Sequence, residues 1–325
     1  MKTLLSGDWH LTDRQKDAYR WRIFPWLQSL ILNHHIDRFI CLGDITEAKD
    51  YHSSVLTNQI ADALIDLKMN LEDMIIVPGN HDASDPDHPF FEFIKYSKIT
   101  WISKPTVISD ELFLPHTRNY QNDWKHFKGK YARAFCHNTF QGAKNEFGRL
   151  MDGIPTSAIP CPIYTGDIHA PQKVDNVTFV GAPYHVRFGD KYTPRVIILD
   201  GVKVRSIEVP SPRKHVIELN AADRNSWCEN KWAFNKNDMV RFKVFLDPKT
   251  IREWPIIQDT IKEIVQKTQV IQDSIIPIID YKLQKQVINK SQLSTDIELV
   301  HEMCRRHQAD NLTKKIGLDI IKDSN

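Results

Sequence analysis

Five short clusters in the sequence combine residue types that bind metal ions and handle protons. They are Gly7-Asp8-Trp9-His10, Gly43-Asp44, Gly79-Asn80-His81-Asp82, Cys136-His137-Asn138 and Gly166-Asp167-Ile168-His169. Carboxylate oxygens, imidazole nitrogens and an amide oxygen are together borderline ligands that favour manganese, iron or zinc over calcium. The chemistry they suit is that of a pair of first-row divalent ions. One carboxylate must bridge such a pair, and Asp44 is the natural candidate. The glycines let the backbone turn sharply and leave room for ions and a phosphate. Asp and Asn after strands are also common helix caps, but five such clusters, each at a strand end, argue against coincidence.

Those donors lie far apart in sequence, so a fold must gather them. The first 210 or so residues alternate short apolar runs with segments of helical period. The runs are Thr3–Leu5, Arg38–Leu42, Met74–Val77, Ala132–Phe135, Pro162–Tyr164, Thr178–Val180 and Arg195–Leu199; Leu56, Ile60, Leu64 and Leu67 make one helical stripe. This alternation predicts a layered α/β sheet. Each donor cluster follows a predicted strand, and side chains just beyond the carboxyl ends of such strands converge on one crevice.

Val209–His215 is Pro-rich and reads as a linker. Beyond it the texture changes. Val240–Leu246 alternates like a strand, a helix is expected around Trp254–Lys267, and Val270–Ile279 is an apolar run, together a small α+β domain. A last segment opens with a capping box at Thr295 and Glu298 and carries two short amphipathic stripes. The expected domains are therefore 1–212, 213–290 and a helical tail, 291–325.

Composition narrows the partners. With 43 basic and 41 acidic residues the net charge is +2, so phosphate affinity must come from local patches or from ions. Five scattered cysteines without a C-x-x-C read as small buried hydrophobes in a reducing cytoplasm. No apolar stretch approaches the roughly 20 residues of a membrane span, and MKTLL is too short for a signal core.

Asp-x-His, Gly-Asp, Gly-Asn-His-Asp, His and Gly-Asp-x-His, in this order, resemble the signature of calcineurin-like metallophosphoesterases. Within that superfamily the chain looks most like SbcD-type nucleases, and especially the small subunit of phage recombination endonucleases. Phe179-Val-Gly-Ala-Pro-Tyr and Phe188-Gly-Asp190 resemble the family's segments after the last metal motif. The resemblance implies a two-sheet sandwich flanked by helices, with a small α+β domain capping the cleft and selecting DNA geometry. It implies one ion held by Asp8, His10, Asp44 and His169, and another by Asp44, Asn80, His137 and Asp167. His81 would be the catalytic histidine, contacting the phosphate or protonating the leaving oxygen while water between the ions attacks phosphorus in line. Asp82 would orient His81 or be structural.

The implied function is metal-dependent DNA cleavage, exonucleolytic or endonucleolytic, in recombination and repair. The implied ions are two Mn2+, with Mg2+ the alternative. The implied partners are DNA, a coiled-coil SbcC-like ATPase docked on the tail, and a second copy of the chain packed against His88–Ile94; the setting is the cytoplasm, that of a host if the chain is viral. The chain has no G-x-x-x-x-G-K-[ST] loop and cannot itself be the ATPase. Two positions depart from the family. Asp167 stands where a histidine is usual, which bears on metal identity, and Glu47 stands where a histidine linked to exonuclease action is common, with His52 a nearby substitute.

Two rivals stand beside this reading: a small-molecule or protein phosphoesterase of the same superfamily, and a DNA-end-binding scaffold without catalysis. Against the first, Gly43-Asp-Ile-Thr-Glu-Ala-Lys lacks the arginine of the protein-phosphatase signature. Arg118–Arg133 interleaves basic residues with Tyr120, Trp124, Phe127 and Tyr131, which suits either a DNA track or a half-buried element. His185 is placed near the cleft, and His116 among surface histidines.

Overall fold

A computed structural model describes residues 1–85, 88–228, 232–247, 250–279 and 301. The chain divides into two units: Met1–His215 with Asn235–Val240, and Val216–Phe234 with the segment from Arg241 onward.

Two six-stranded mixed sheets build the first unit. The strands of one are β1 (Lys2–Ser6), β2 (Arg38–Cys41), β3 (Asp73–Ile76), β4 (Thr100–Trp101), β11 (Arg195–Asp200) and β12 (Lys203–Glu208), in the order β12-β11-β1-β2-β3-β4. Those of the other are β5 (Thr106–Ile108), β6 (Glu111–Leu114), β7 (Arg133–Cys136), β8 (Ile163–Thr165), β9 (Gln172–Val174) and β10 (Val177–Phe179), in the order β5-β6-β7-β8-β10-β9. Strands β1 to β4 run parallel, as do β6, β7, β8 and β10.

The period of two in each strand decides which core a side chain enters. Leu5, Ile40, Ile75 and Ile197 point from the first sheet toward Phe113, Phe135 and Tyr164 of the second. Their neighbours Leu4, Phe39, Met74, Ile76 and Ile198 face the opposite way. There they meet helices α1 (Ile23–His34) and α2 (Ser54–Lys68). Helix α1 buries Ile23, Phe24, Leu27, Leu30 and Ile31, one stripe at helical spacing. In α2 the stripe is Leu56, Ile60, Leu64 and Leu67, and the Ser53 hydroxyl caps it by accepting from the Leu56 amide at 3.1 Å. The outer face of the second sheet is covered by Trp124, Phe140, Ile154 and Ile159.

At the strand starts, away from the donor clusters, a buried ion pair ties the sheets together. Arg38 of β2 forks onto Glu111 of β6 at 2.6 and 3.1 Å, and Arg133 of β7 approaches the same carboxylate at 3.3 Å. Arg38 also donates to Thr3 Oγ1 at 3.1 Å.

The second unit holds α3 (Trp254–Thr268), whose buried residues Ile257, Ile261 and Ile264 form one stripe. A three-stranded sheet has the order β13 (Lys214–Asn220), β14 (Met239–Leu246), β15 (Ile271–Ile279), and Arg241 binds Asp273 across it at 2.8 Å. The expected α/β double sandwich and smaller α+β element are therefore present. The tail expected at 291–325 lies outside the described residues apart from His301. No described helix is long and apolar enough to cross a membrane.

All seven apolar runs read from the sequence are strands. The missed strands are β4, β5, β6, β9, β12 and β13: β4, β5, β9 and β12 lie at sheet edges, β12 being largely exposed with no alternation of burial, β6 is an interior strand buried at every position and so shows no period of two, and β13 begins inside the stretch read as a linker. The Pro-rich stretch at Val209–His215 is not a free linker. Val209 is in the core, the Arg213 amide donates to Asp238 Oδ1 at 2.9 Å, and Lys214 opens β13. In Arg118–Arg133 the aromatic rings turn inward: Trp124 is buried and Tyr120, Phe127 and Tyr131 pack on its cluster. The half-buried reading of that segment is the one the packing supports.

Replacing Glu111 by alanine strands two arginines in a buried seam. Breaking one side of such a pair costs about 3–5 kcal/mol, so Glu111→Ala should lower the denaturation midpoint in urea by that equivalent without moving the metal affinity measured on the folded protein.

Candidate metal centre

The carboxyl ends of β1, β2, β3, β7 and β8 meet at one edge of the sandwich, and the chain continues past each of them in paired loops. Asp8 N donates to Gly43 O, His10 N to Asp44 O and Leu11 N to Ile45 O, each at 2.9 Å. Two of the motifs alternate donor, apolar residue, donor. Trp9 is fully buried against Phe24 and Phe39, with its indole N–H on Ser6 Oγ at 2.9 Å. Ile168 is buried in the core of the second sheet. Anchoring the middle residue sends Asp8 with His10, and Asp167 with His169, toward the seam.

The seam is closed by bonds from one sheet to the other. Asp167 N donates to Asp8 Oδ1 at 2.9 Å, and His137 Nδ1 donates to Leu42 O at 2.5 Å. That second bond fixes the imidazole, because a carbonyl can only accept, and it leaves Nε2 facing inward. Three donor groups lie there in overlapping sets: Asp8 with His10 and His169, Asp8 with Asp44 and His137, and His10 with Asp44 and His81, each set within 4.8 Å. His10 Nε2 and His169 Nε2 are 3.0 Å apart, and His137 Nε2 is 3.3 Å from Asp44 Oδ1. Asn80 Oδ1 lies 3.2 Å from His137 Nε2 and 3.3 Å from both Asp44 oxygens.

Lone pairs crowded this closely repel unless a proton or a cation sits among them or, for Asn80, the amide turns over. Asp8 Oδ2 is buried with no hydrogen-bond partner. The donor set is one that first-row divalent ions take, and Asp8 and Asp44 each belong to two of the overlapping sets, as a two-ion site needs. The residues therefore fit a binuclear divalent-metal site. Asp167 stands at the edge of the cluster: its Oδ1 is 4.0 Å from His137 Nε2, and Thr139 Oγ1 donates to its Oδ2.

Backbone strain marks the same place. Asp8, His10, Asp44 and Asp167 all have positive φ, between 45° and 80°, four of the ten such non-glycine residues described. This conformation costs non-glycine residues energy and persists where surrounding structure over-determines it. Asp82 does much of that here. Its buried carboxylate accepts from the amides of Asp44, Ile45 and Gly79 at 2.8, 2.8 and 2.7 Å. Asp82 therefore shapes the Asp44 loop, and its carboxylate has no bond to His81; of the two roles considered for it, orienting His81 or structural, the geometry matches the structural one. Gly79 is equally constrained, since a Cβ there would lie 2.2 Å from Asp44 Oδ1.

His81 is half-buried. Its amide donates to Asp44 Oδ1 at 2.9 Å and its Nδ1 donates to Glu47 O at 2.7 Å, leaving Nε2 free. His52 does not take the place of the missing family histidine: its ring packs on Phe90 and Phe91 and its Nε2 contacts Thr46 Oγ1 at 2.9 Å. His185 is a satisfied core residue, bonded to Tyr192 O and the Lys214 amide. His116, placed at the surface from sequence, instead sits beside the site with Nδ1 3.1 Å from His137 O. One glutamate of the site carried no sequence signal: Glu146 approaches His169 Nδ1 at 3.5 Å; Glu47, noted from sequence at a family histidine position, approaches His10 Nδ1 at 3.5 Å. Nothing in local sequence links Glu146 to a histidine 23 positions away; only the loop path does.

Burial pushes Asp8 up to about 8, with the Asp44 charge adding to the effect against the pull of His137. Burial also raises Asp44, but the charges of His137 and His10 and the bond from His137 outweigh it, leaving Asp44 well below the usual carboxylate range. Burial disfavours the charged form of His137, yet Asp44 holds its pKa well above the ordinary value. For His10 and His169, burial prevails and lowers the pKa.

Residues 1–158 match the family model of calcineurin-like phosphoesterases. The double-sheet unit has the calcineurin-like metallophosphoesterase fold. The matched span includes every cluster but the last, Asp167–His169. No curated protein matches the sequence. Among solved structures a nuclease of Pseudomonas putida, MPE, is similar at 14% identity over 63% of this chain and 87% of that one, with a TM-score of 0.32, too distant to carry function across. Fold and clustered donors together support a metal-dependent hydrolase of phosphate esters.

Without ions, Asp8 and His137 keep protons at neutral pH that ligation must remove. Metal binding should therefore release protons and strengthen as pH rises from 6 toward the Asp8 value of about 8. Calorimetric titration of Mn2+ in two buffers of different ionisation enthalpy would measure that release; identical heats in both would refute it.

Proposed function

We propose that this chain is a metal-dependent DNA nuclease that hydrolyses backbone phosphodiesters during recombination and repair. The observation that carries the hydrolytic part is the convergence of Asp8, His10, Asp44, His137 and His169 from both sheets, with His81 beside them. The choice of DNA rests on the likeness of all five motifs, and of the segments after the last, to SbcD-type nucleases.

When bound, two divalent ions supply Lewis acidity: they activate water and neutralise charge on the phosphate oxygens. Mn2+ is the expected ion, with Mg2+ the alternative. Asp44 is suited to bridge, being ionised and presenting its oxygens to His10 and His137. Asp8, His10 and His169 make up one side of the site; Asn80 and His137, with Asp167 at the rim, make up the other. Hydrolysis forms a bond from a water oxygen to phosphorus and breaks the bond to the departing sugar oxygen, which must acquire a proton. His81, its Nδ1 proton committed to Glu47 O, has Nε2 available to contact the phosphate and, in the protonated form, to donate to that oxygen.

Action on DNA ends with an SbcC-like ATPase, and pairing of two copies, belong to the same proposal. Phe90, Phe93 and Tyr96 are exposed on the short helix Phe90–Ser97 and suit the second of these.

The test is cleavage of labelled linear DNA with and without Mn2+, beside His81→Ala and with bis-p-nitrophenyl phosphate in parallel. Mn2+-dependent cutting is expected, falling about 10^2–10^4-fold in His81→Ala while both ions stay bound. Turnover of the small diester with DNA intact, even with an ATPase partner added, would favour a small-substrate phosphoesterase. Bound metal without turnover of either would leave a DNA-end scaffold.

A further inference from the structure

His10 and His169 approach the site from different sheets and meet nitrogen to nitrogen, Nε2 to Nε2 at 3.0 Å, with their rings inclined at 73°. Each ring turns its far side to a carboxylate. Glu47 Oε2 is 3.5 Å from His10 Nδ1, and Glu146 Oε1 is 3.5 Å from His169 Nδ1. The four side chains make a continuous row, Glu47, His10, His169, Glu146, with the two inner nitrogens at the place where an ion fits.

Neither glutamate is there by accident of a mobile surface chain. The Glu146 side chain is only 9% exposed, and its Oε1 also accepts the His169 amide at 3.2 Å. The loop that carries it is latched on both sides. Asn145 Oδ1 accepts from the amides of Phe147 and Arg149, and the Gln172 side chain bonds Lys144 N and O at 2.8 and 2.6 Å. Glu47 is more open, but Arg20 holds it: one guanidinium nitrogen is 3.5 Å from its carboxylate and donates to His10 O as well.

We infer that Glu146 and Glu47 are positioning residues that keep the imidazole protons of His169 and His10 on Nδ1 and both Nε2 lone pairs on the metal site. This rests on the two-ion reading above. A neutral imidazole has one N–H, and the group that accepts from it decides which nitrogen is free to ligate. A carboxylate on the outer nitrogen fixes the ring, selects the ligating tautomer and raises the basicity of the ligand; losing such a partner lowers metal affinity about 10–100-fold. The present 3.5 Å separations would close to hydrogen bonds by a movement of about half an ångström. Both glutamates serve the His10–His169 side of the site. His137, on the other side, uses the Leu42 carbonyl for the same purpose and should not respond.

The experiment is calorimetric titration of Mn2+ into the full chain and into Glu146→Ala, Glu146→Gln and Glu47→Gln, with the visible absorption of Co2+ as a second readout. Thermal unfolding of each metal-free protein reports folding. Expected is one of two binding steps weakened about 10–100-fold in Glu146→Ala, the other step unchanged, and an altered Co2+ spectrum. Glu146→Gln, which keeps an acceptor for the His169 amide, should fall between, and the exposed Glu47→Gln serves if the Glu146 variants do not fold. Two unchanged binding steps in folded variants would overturn this inference and leave the nuclease reading standing. No binding to the parent chain would overturn both.

Discussion

Everything at the working edge of this protein answers to one constraint: oxygen and nitrogen lone pairs from five strand ends are buried within a few ångströms of each other. Such an arrangement repels itself. Burial, with the Asp44 charge adding to it, holds Asp8 above the usual carboxylate range, while the neighbouring His137 and His10 hold Asp44 below it. Divalent ions relieve the repulsion, but the protein must hold the donors in place before any ion arrives. The structure does so with directed bonds to the main chain: three amides donate to Asp82, one amide each to Asp8 and Asp44, and His137 donates to the Leu42 carbonyl.

Rigidity at that edge comes from the packing behind it. Alternate residues of each central strand enter either the core between the sheets or the core beneath the helices, so no strand can slip without turning Leu4 and Leu5, or Phe39 and Ile40, to the wrong side. The same alternation continues past the strand ends. Trp9, Ile45 and Ile168 are buried anchors set between or beside polar donors, and they aim those donors by being unable to leave the core. At the opposite end the Arg38–Glu111 pair ties the two sheets, so the seam that carries the site is closed from both directions.

The site also shows why one motif residue can serve another. Asp82 sits beside His81 in sequence yet acts on Asp44, 38 positions away, by accepting its amide. His81 in turn is held by the Glu47 carbonyl and by the carboxylate of Asp44. The Gly79 position is confined by Asp44 Oδ1 and cannot take a side chain. The Gly-Asp and Gly-Asn-His-Asp segments are thus one interlocked piece.

Much of this was legible in the sequence, for a physical reason: period-two burial and period-four stripes are written in side-chain polarity, and donors placed directly after apolar strands must emerge at one sheet edge. From that alone followed a layered α/β fold, seven of its strands, helix α2 and the gathering of Asp8, His10, Asp44, His137 and His169; that the strands form two sheets was implied by the family resemblance of the motifs. What sequence left open depended on long-range paths. Short edge strands such as β4 and β9 bury too little to show a pattern. The direction of the Asp82 carboxylate, the proximity of His116 and the approach of Glu146 to His169 depend on how loops cross between sheets. Such loops carry no periodicity, so only the tertiary structure decided which groups they bring to the metal centre.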